Sequence, residues 1–204
     1  LALPSLAQKC FGSRNFIKNI KFYLGFLYLY GDDGVSINTK KGLEWMTKSA
    51  DAGLDLAQAE LGHLYSDGND EVAQDLKKAL HYYQLAVKQD ESSAINNLGI
   101  FYLEGKAGLK QDYKEALRLF TLASKAENGL GSSNIAYVYE EGKGVEKNYK
   151  KAAEYYSLAV EQGENEALLD LARLYENGGF GLAKNLKKSK EYEAQWDELQ
   201  TEKN

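Results

Sequence analysis

The 204-residue chain holds one cysteine, Cys10, so no disulfide can form within it. That removes a cross-linked framework as a source of stability and leaves the compartment open. One proline, Pro4, means that the principal helix breaker is avoided along nearly the whole length. With two histidines, His63 and His81, the inventory for metal chemistry is thin. A metal site needs convergent ligands, and no ligand pair at helical spacing surrounds either histidine, so no metal or other cofactor is expected. No apolar run approaches the roughly eighteen residues of a membrane span. Positive charge is not in excess either: the net charge is −5 and the pI about 5.2, which argues against the basic footprint of nucleic-acid binding. A glycine-rich phosphate loop ending in lysine and serine is also missing. What the chain does have is 44% hydrophobic residues and 15 tyrosines, enough for a packed core and against disorder.

The tyrosines lead to an internal repeat. Five phrases align: Tyr23-Leu-Gly-Phe-Leu-Tyr28, Glu60-Leu-Gly-His-Leu-Tyr65, Asn97-Leu-Gly-Ile-Phe-Tyr102, Asn134-Ile-Ala-Tyr-Val-Tyr139 and Asp170-Leu-Ala-Arg-Leu-Tyr175. Their small residues, Gly25, Gly62, Gly99, Ala136 and Ala172, are spaced 37, 37, 37 and 36 apart. A glycine closes each phrase (Gly31, Gly68, Gly105, Gly142, Gly178) and can end a helix in the left-handed conformation. Next comes Asn38, Asp75, Asp112, Asn148 or Asn185, side chains that accept from the free amides of a helix start. The fourth loop has lost one residue, which accounts for the single spacing of 36.

A second helix follows each cap. Its small residues recur at Gly42, Ala79, Ala116, Ala152 and Ser189. Four residues on stands a large side chain, Met46, Tyr83, Phe120 or Tyr156, and three further a small one, Ser49, Ala86, Ala123 or Ala159. These offsets put all three on one helical face. One such hairpin cannot bury that face alone, so the expected fold is all-α: a right-handed superhelical solenoid of about five helix-turn-helix units with a concave side. Its expected units are residues 20–56, 57–93, 94–130, 131–166 and 167–204, one domain from residue 15. In the fifth unit the last small position is Trp196, which would obstruct a further hairpin, and a polar run follows it.

The fourth unit, with Tyr139-Glu-Glu-Gly-Lys-Gly-Val145, Asn148, Lys151-Ala152, Tyr155-Tyr156, Ala159 and Gly163, resembles the Sel1-like repeat, a relative of the tetratricopeptide repeat. The resemblance runs over about residues 20 to 196. The paired cysteines of some secreted members are missing, and the second loop has Glu71 where the others have Gly34, Gly108, Gly144 and Gly181, so its turn is expected to differ. The resemblance implies a non-enzymatic adaptor or scaffold that binds a protein or peptide. It also implies an alternative, since some bacterial members are immunity proteins that neutralise secreted toxic enzymes.

The first helix of each unit is expected to line the concave side. Helical periodicity puts five trios on its outer arc: Phe22, Phe26, Leu29; Ala59, His63, Ser66; Asn96, Ile100, Leu103; Ser133, Tyr137, Glu140; and Leu169, Arg173, Glu176. The residue after the small one takes five identities, Phe26, His63, Ile100, Tyr137 and Arg173, while its neighbours hardly change. Nothing structural fixes it, as expected of a binding line, and aromatic and arginine side chains are common interface anchors. Packing against a preceding helix or a loop is the competing explanation for Phe26 and Ile100. Asn96, Ser133, Glu140 and Glu176 complete the candidate site. Alanine at both Tyr137 and Arg173 is expected to weaken binding and leave the melting temperature nearly unchanged.

Lysines recur just inside each second helix: Lys40-Lys41, Lys77-Lys78, Lys114, Lys150-Lys151 and Lys187-Lys188. Cations there oppose the helix dipole. They read as a solvated feature whose stems cover apolar surface, with a basic rim for an acidic partner as the alternative. Carboxylates are scattered over outer faces and Cys10 has no motif around it, so a hydrolase remains only a minor alternative, one that a deep pocket with convergent titratable groups would revive. The opening Leu1–Ala7 fits either the tail of a secretory leader, placing the protein in the bacterial periplasm or outside, or a short helix with Pro4 at its first position, placing it in the cytoplasm. A monomer is expected.

Overall fold

The computed structural model describes residues 16–31 and 34–201. The readings made of Leu1–Ala7 and of Cys10 fall outside that range. The described residues form ten α-helices: α1 (Phe16–Tyr30), α2 (Thr39–Asp51), α3 (Asp55–Asp67), α4 (Leu76–Val87), α5 (Ser92–Glu104), α6 (Tyr113–Lys125), α7 (Gly129–Glu141), α8 (Tyr149–Glu161), α9 (Ala167–Asn177) and α10 (Leu186–Thr201). A single turn of 3-10 helix, Lys106–Gly108, sits in the third loop. No strand occurs among the described residues; one isolated bridge joins Gly179 and Leu182. Two compact units divide the chain, one ending at Ala94 and one starting at Ile95.

Every hairpin is built on the same local chemistry. The cap side chains of Asn38, Asp75, Asn148 and Asn185 accept from the amides of Lys41, Lys78, Lys151 and Lys188, and Asp112 accepts from Lys114 and Glu115. Each supplies a partner to a donor that the helix start leaves open. The backbone amide of the same residue donates to the carbonyl of the repeat tyrosine: Asn38 to Tyr28 at 2.7 Å, Asp75 to Tyr65 at 2.8 Å, Asp112 to Tyr102 at 2.9 Å, Asn148 to Tyr139 at 2.8 Å and Asn185 to Tyr175 at 2.7 Å. The cap residue thus clasps the loop at both ends, and the shortened fourth loop keeps the clasp. Gly142 ends α7 with φ 69° and ψ 35°, a conformation that a β-carbon disfavours. The second loop does differ. Glu71 is not left-handed; instead the Asn69 side chain accepts from the amides of Glu71 and Val72 at 2.9 and 2.8 Å.

The small-against-large face holds each hairpin together. A β-carbon at Gly62 would lie 2.5 Å from the Tyr83 ring, and one at Gly99 would lie 2.6 Å from the Phe120 ring. Both rings are fully buried, so only glycine admits them at this helix separation. In the first unit Met46, Leu54, Leu61 and Leu64 form the core with Leu29. In the second unit Leu103, Phe120, Ile135 and Val138 make one cluster, and Tyr156, Leu171 and Leu174 another, closed by alanines. Glutamine amides tie neighbouring repeats within each unit: Gln58 donates to the Ala50 carbonyl at 3.1 Å, and Gln162 to the Ser124 carbonyl at 2.8 Å.

Candidate functional site

On each first helix the small residue and the residue two places on are both buried, as in Gly25 and Leu27, or Ala172 and Leu174. The position between them points away from the core. Phe26, His63, Tyr137 and Arg173 are exposed there, while Ile100 is half-buried and packs against the cluster around Phe120. Flanking positions of the expected arc fare differently. Asn96 is 2% exposed and accepts from the Asn134 side chain at 2.9 Å, and Glu140 is 6% exposed, so neither stands on an open face. Leu29 and Leu103 are buried too. The flanks at Asn96, Leu103, Leu29 and Glu140 are thus covered, while Leu169 on α9 is exposed. Ser133 is half-buried and Glu176 exposed.

In the first unit Phe26 packs at 4.6 Å between ring centres against Tyr30 and at 6.4 Å against Phe22, giving an aromatic stripe one turn per step along α1. The Tyr30 hydroxyl donates to Glu60 on α3. Burial and then that carboxylate push the hydroxyl's pKa well above its ordinary value. His63 lies 3.5 Å from Asp67, one turn on, with both side chains exposed.

In the second unit an open cleft of about 440 Å³ lies over α7 and α9. Tyr137, Glu140 and Glu141 come from α7, and Asp170 and Arg173 from α9. Arg173 donates through both terminal nitrogens to the two oxygens of Glu140, and again to Asp170 at 2.7 Å. The Tyr156 hydroxyl donates to Glu140 at 3.0 Å from below. Burial alone would raise the Glu140 pKa, but the Arg173 hydrogen bonds and charge outweigh it and hold the carboxyl below its usual range. Arg173 is pushed up by the same bonds, and Tyr156 is pushed up by burial and the two carboxylates. Lys143, just past the end of α7, sets its ammonium 5.3 Å from the Tyr137 ring centre. Titratable groups therefore converge, but they are spent on each other. Three donors, two from Arg173 and one from Tyr156, converge on the Glu140 carboxylate and favour its charged form, whereas a general acid needs a raised carboxyl pKa. The arrangement is a latched ion pair beside an exposed ring. Asp170 lies three residues before Arg173 on one helix, a spacing that could have marked it. Lys143 carries no sequence signal, and Tyr156 reads only as core.

The repeated lysines have a partner that the sequence reading did not name. Lys41, Lys78, Lys151 and Lys188 place their ammonium groups 5.4, 4.9, 4.9 and 4.8 Å from the ring centres of Tyr28, Tyr65, Tyr139 and Tyr175. Three of these rings stack in turn on a tyrosine of the second helix, Tyr65 on Tyr82, Tyr139 on Tyr155 and Tyr175 on Tyr192, at 5.9 to 6.0 Å. The repeat tyrosines are half-buried rather than enclosed, and each such lysine closes its hairpin by a cation–ring contact. In the third repeat Glu115 takes the lysine's place and pairs with Arg118 at 2.7 Å.

The Sel1 repeat model matches residues 21–54, 55–91, 92–128, 124–164 and 165–192. The chain belongs to the Sel1 repeat family. A Sel1 repeat protein from Oxalobacter formigenes superposes with a TM-score of 0.79 at 25% identity, over 93% of this chain and 72% of that one. A Sel1 repeat protein from Klebsiella pneumoniae gives 0.61 at 19% identity, over 94% and 90%. An immunity protein from Pseudomonas aeruginosa gives 0.50 at 20% identity, over 89% and 81%, a likeness that carries the fold alone. No curated protein matches the sequence. Sel1 repeat proteins are protein-interaction modules, typically non-enzymatic scaffolds, built as helical repeat solenoids. No described helix is long and apolar enough to cross a membrane, and no three of His, Cys, Asp and Glu among the described residues are grouped to hold a metal.

Proposed function

We propose that this Sel1 repeat protein holds a protein or peptide segment against the exposed line of its first helices, as a scaffold or adaptor. One observation carries the reading. At the position after the small residue four of five side chains reach solvent and differ in kind, while both neighbours are buried in every repeat. Folding constrains the neighbours in every repeat, while at this position it engages Ile100, through packing, and Arg173, through its ion pair. Phe26, His63, Tyr137, Arg173 and Glu176 are its exposed members, with Ile100 and Ser133 at the edge.

Tyr137 is the residue to test, because it is exposed and its hydroxyl holds no part of the Glu140 latch. Tyr137→Ala should keep the stability of the parent within about 0.5 kcal/mol, as surface changes do. Affinity capture from the native source, quantified by mass spectrometry, should recover a partner with the parent and lose it with the variant. Equal recovery by both would refute the assignment of the binding line. An immunity role would demand more: one toxic enzyme, bound stoichiometrically over an interface of standard size or larger. An adjacent toxin gene and such a complex would select it.

A further inference from the structure

The cleft of the second unit has a sign. Glu140, Glu141 and Asp170 place three carboxylates around it against one guanidinium, Arg173. That guanidinium is already committed to Glu140 and Asp170, so it does not offer a free fork to an incoming anion. The ring of Tyr137, 37% exposed, forms another part of the lining. Its face already attracts a cation, the Lys143 ammonium at 5.3 Å, which reaches it from the turn after α7. An exposed ammonium–ring contact of this kind is weak enough to be exchanged.

We infer that the cleft takes a basic segment of a protein partner, an extended stretch whose arginine or lysine side chain displaces Lys143 from Tyr137 and sits between that ring, Glu141 and Asp170. The inference rests on the proposed binding line and names the partner chemistry there. Charge complementarity selects this occupant. An acidic or phosphorylated segment would meet Glu141 and the Asp170 oxygen that Arg173 does not hold, and like charges across an interface suppress wrong partners. A purely apolar segment would leave Glu141 and the free oxygen of Asp170 facing it without partners. The cavity of about 440 Å³ is within the range that holds small ligands and suits one long side chain. The Arg173–Glu140 pair is the rigid floor, positioned from beneath by the Tyr156 hydroxyl.

The test uses the intact chain and four random nonapeptide libraries whose central residue is fixed as Arg, Lys, Gln or Glu. Retention should favour the Arg and Lys libraries over the Glu library by about ten-fold or more, and should weaken as salt rises. Tyr137→Ala should abolish the preference and Glu141→Gln should reduce it. Lys143→Ala should strengthen retention, because it removes the competing cation. Equal retention of the Gln or Glu library overturns the basic specificity. If that retention is still lost in Tyr137→Ala, the binding line survives and only this inference fails. Weaker retention by Lys143→Ala overturns the displacement. Retention of no library overturns the inference and leaves the proposed function to the capture experiment.

Discussion

Replacing Arg173 by alanine should cost far more stability than its exposure suggests. The Arg173 side chain is 47% exposed and the Glu140 side chain 7%. Removing one partner of a fully buried pair costs about 3–5 kcal/mol, because a charge is stranded. Here only the carboxylate is dehydrated and Tyr156 still donates to it, so roughly half applies, about 2 kcal/mol. For a chain of this size that lowers the melting temperature by about 4–8 °C. Glu140→Gln should cost about 1 kcal/mol, since the amide oxygen can still accept from Tyr156, and Arg173 keeps Asp170 and water. The penalty of Arg173→Ala should also depend on pH. In the parent the Glu140 pKa is held below its ordinary value. The pair's contribution is therefore present above a carboxylate pKa of about 4.3 and is lost as pH falls through the lower folded value. In the variant burial acts with only Tyr156 and the charge of Lys147 against it, the pKa rises, and protonation relieves the stranded charge. The penalty should thus shrink between pH 7 and pH 4.5. Urea unfolding at both pH values measures it. A midpoint equal to the parent's at pH 7, or a penalty that grows toward acid, would refute the latch.

Two further outcomes follow from the packing. Gly62→Ala should lower stability by about 1 kcal/mol: the new β-carbon falls 2.5 Å from the buried Tyr83 ring, and overpacking of about 1–3 kcal/mol outweighs the roughly 1 kcal/mol helix gain. A raised urea midpoint would show that the hairpin can accommodate the β-carbon, as the hairpin that carries Ala136 already does. Asn148→Ala removes the acceptor for the Lys151 amide and should cost about 1 kcal/mol, while the Asn148 amide keeps its bond to Tyr139; an unchanged midpoint would mean that the backbone clasp alone sets the start of α8.

The hydrogen bonds of Arg173 revise the expectation that alanine at Tyr137 and Arg173 together would leave the melting temperature unchanged: a loss is now expected, and it falls on Arg173. Arg173 looked like a free side chain because its acceptor lies 33 residues away in the previous repeat, a pairing that no local spacing reveals. The same blindness applies to Asn96 and Glu140. A rotation of 100° per residue says which way a side chain points from its own axis and not how far adjacent helices wrap round it. What was legible was what repeats: the five caps, the closing glycines, the deletion in the fourth loop, and the small residues that admit Tyr83 and Phe120. These are local or hairpin-scale constraints, and each leaves its mark at a fixed interval. The lysines were visible as a series, but each ring partner stands across the loop, as Tyr65 does from Lys78, beyond the reach of helical spacing.

The clasp between each cap residue and the repeat tyrosine has a bearing on how this chain can change length. One residue added inside a helix turns everything after it by 100° and would carry the exposed line of Phe26, His63, Tyr137 and Arg173 toward the core. One residue added or removed between a tyrosine and its cap is absorbed, because the amide still finds the same carbonyl, as Asn148 finds Tyr139 across the shortened loop. Changes of length are therefore tolerated, hairpin by hairpin, in the loop between the repeat tyrosine and its cap. Repeats can diverge there, or be exchanged whole, without turning the helices that carry the proposed binding line.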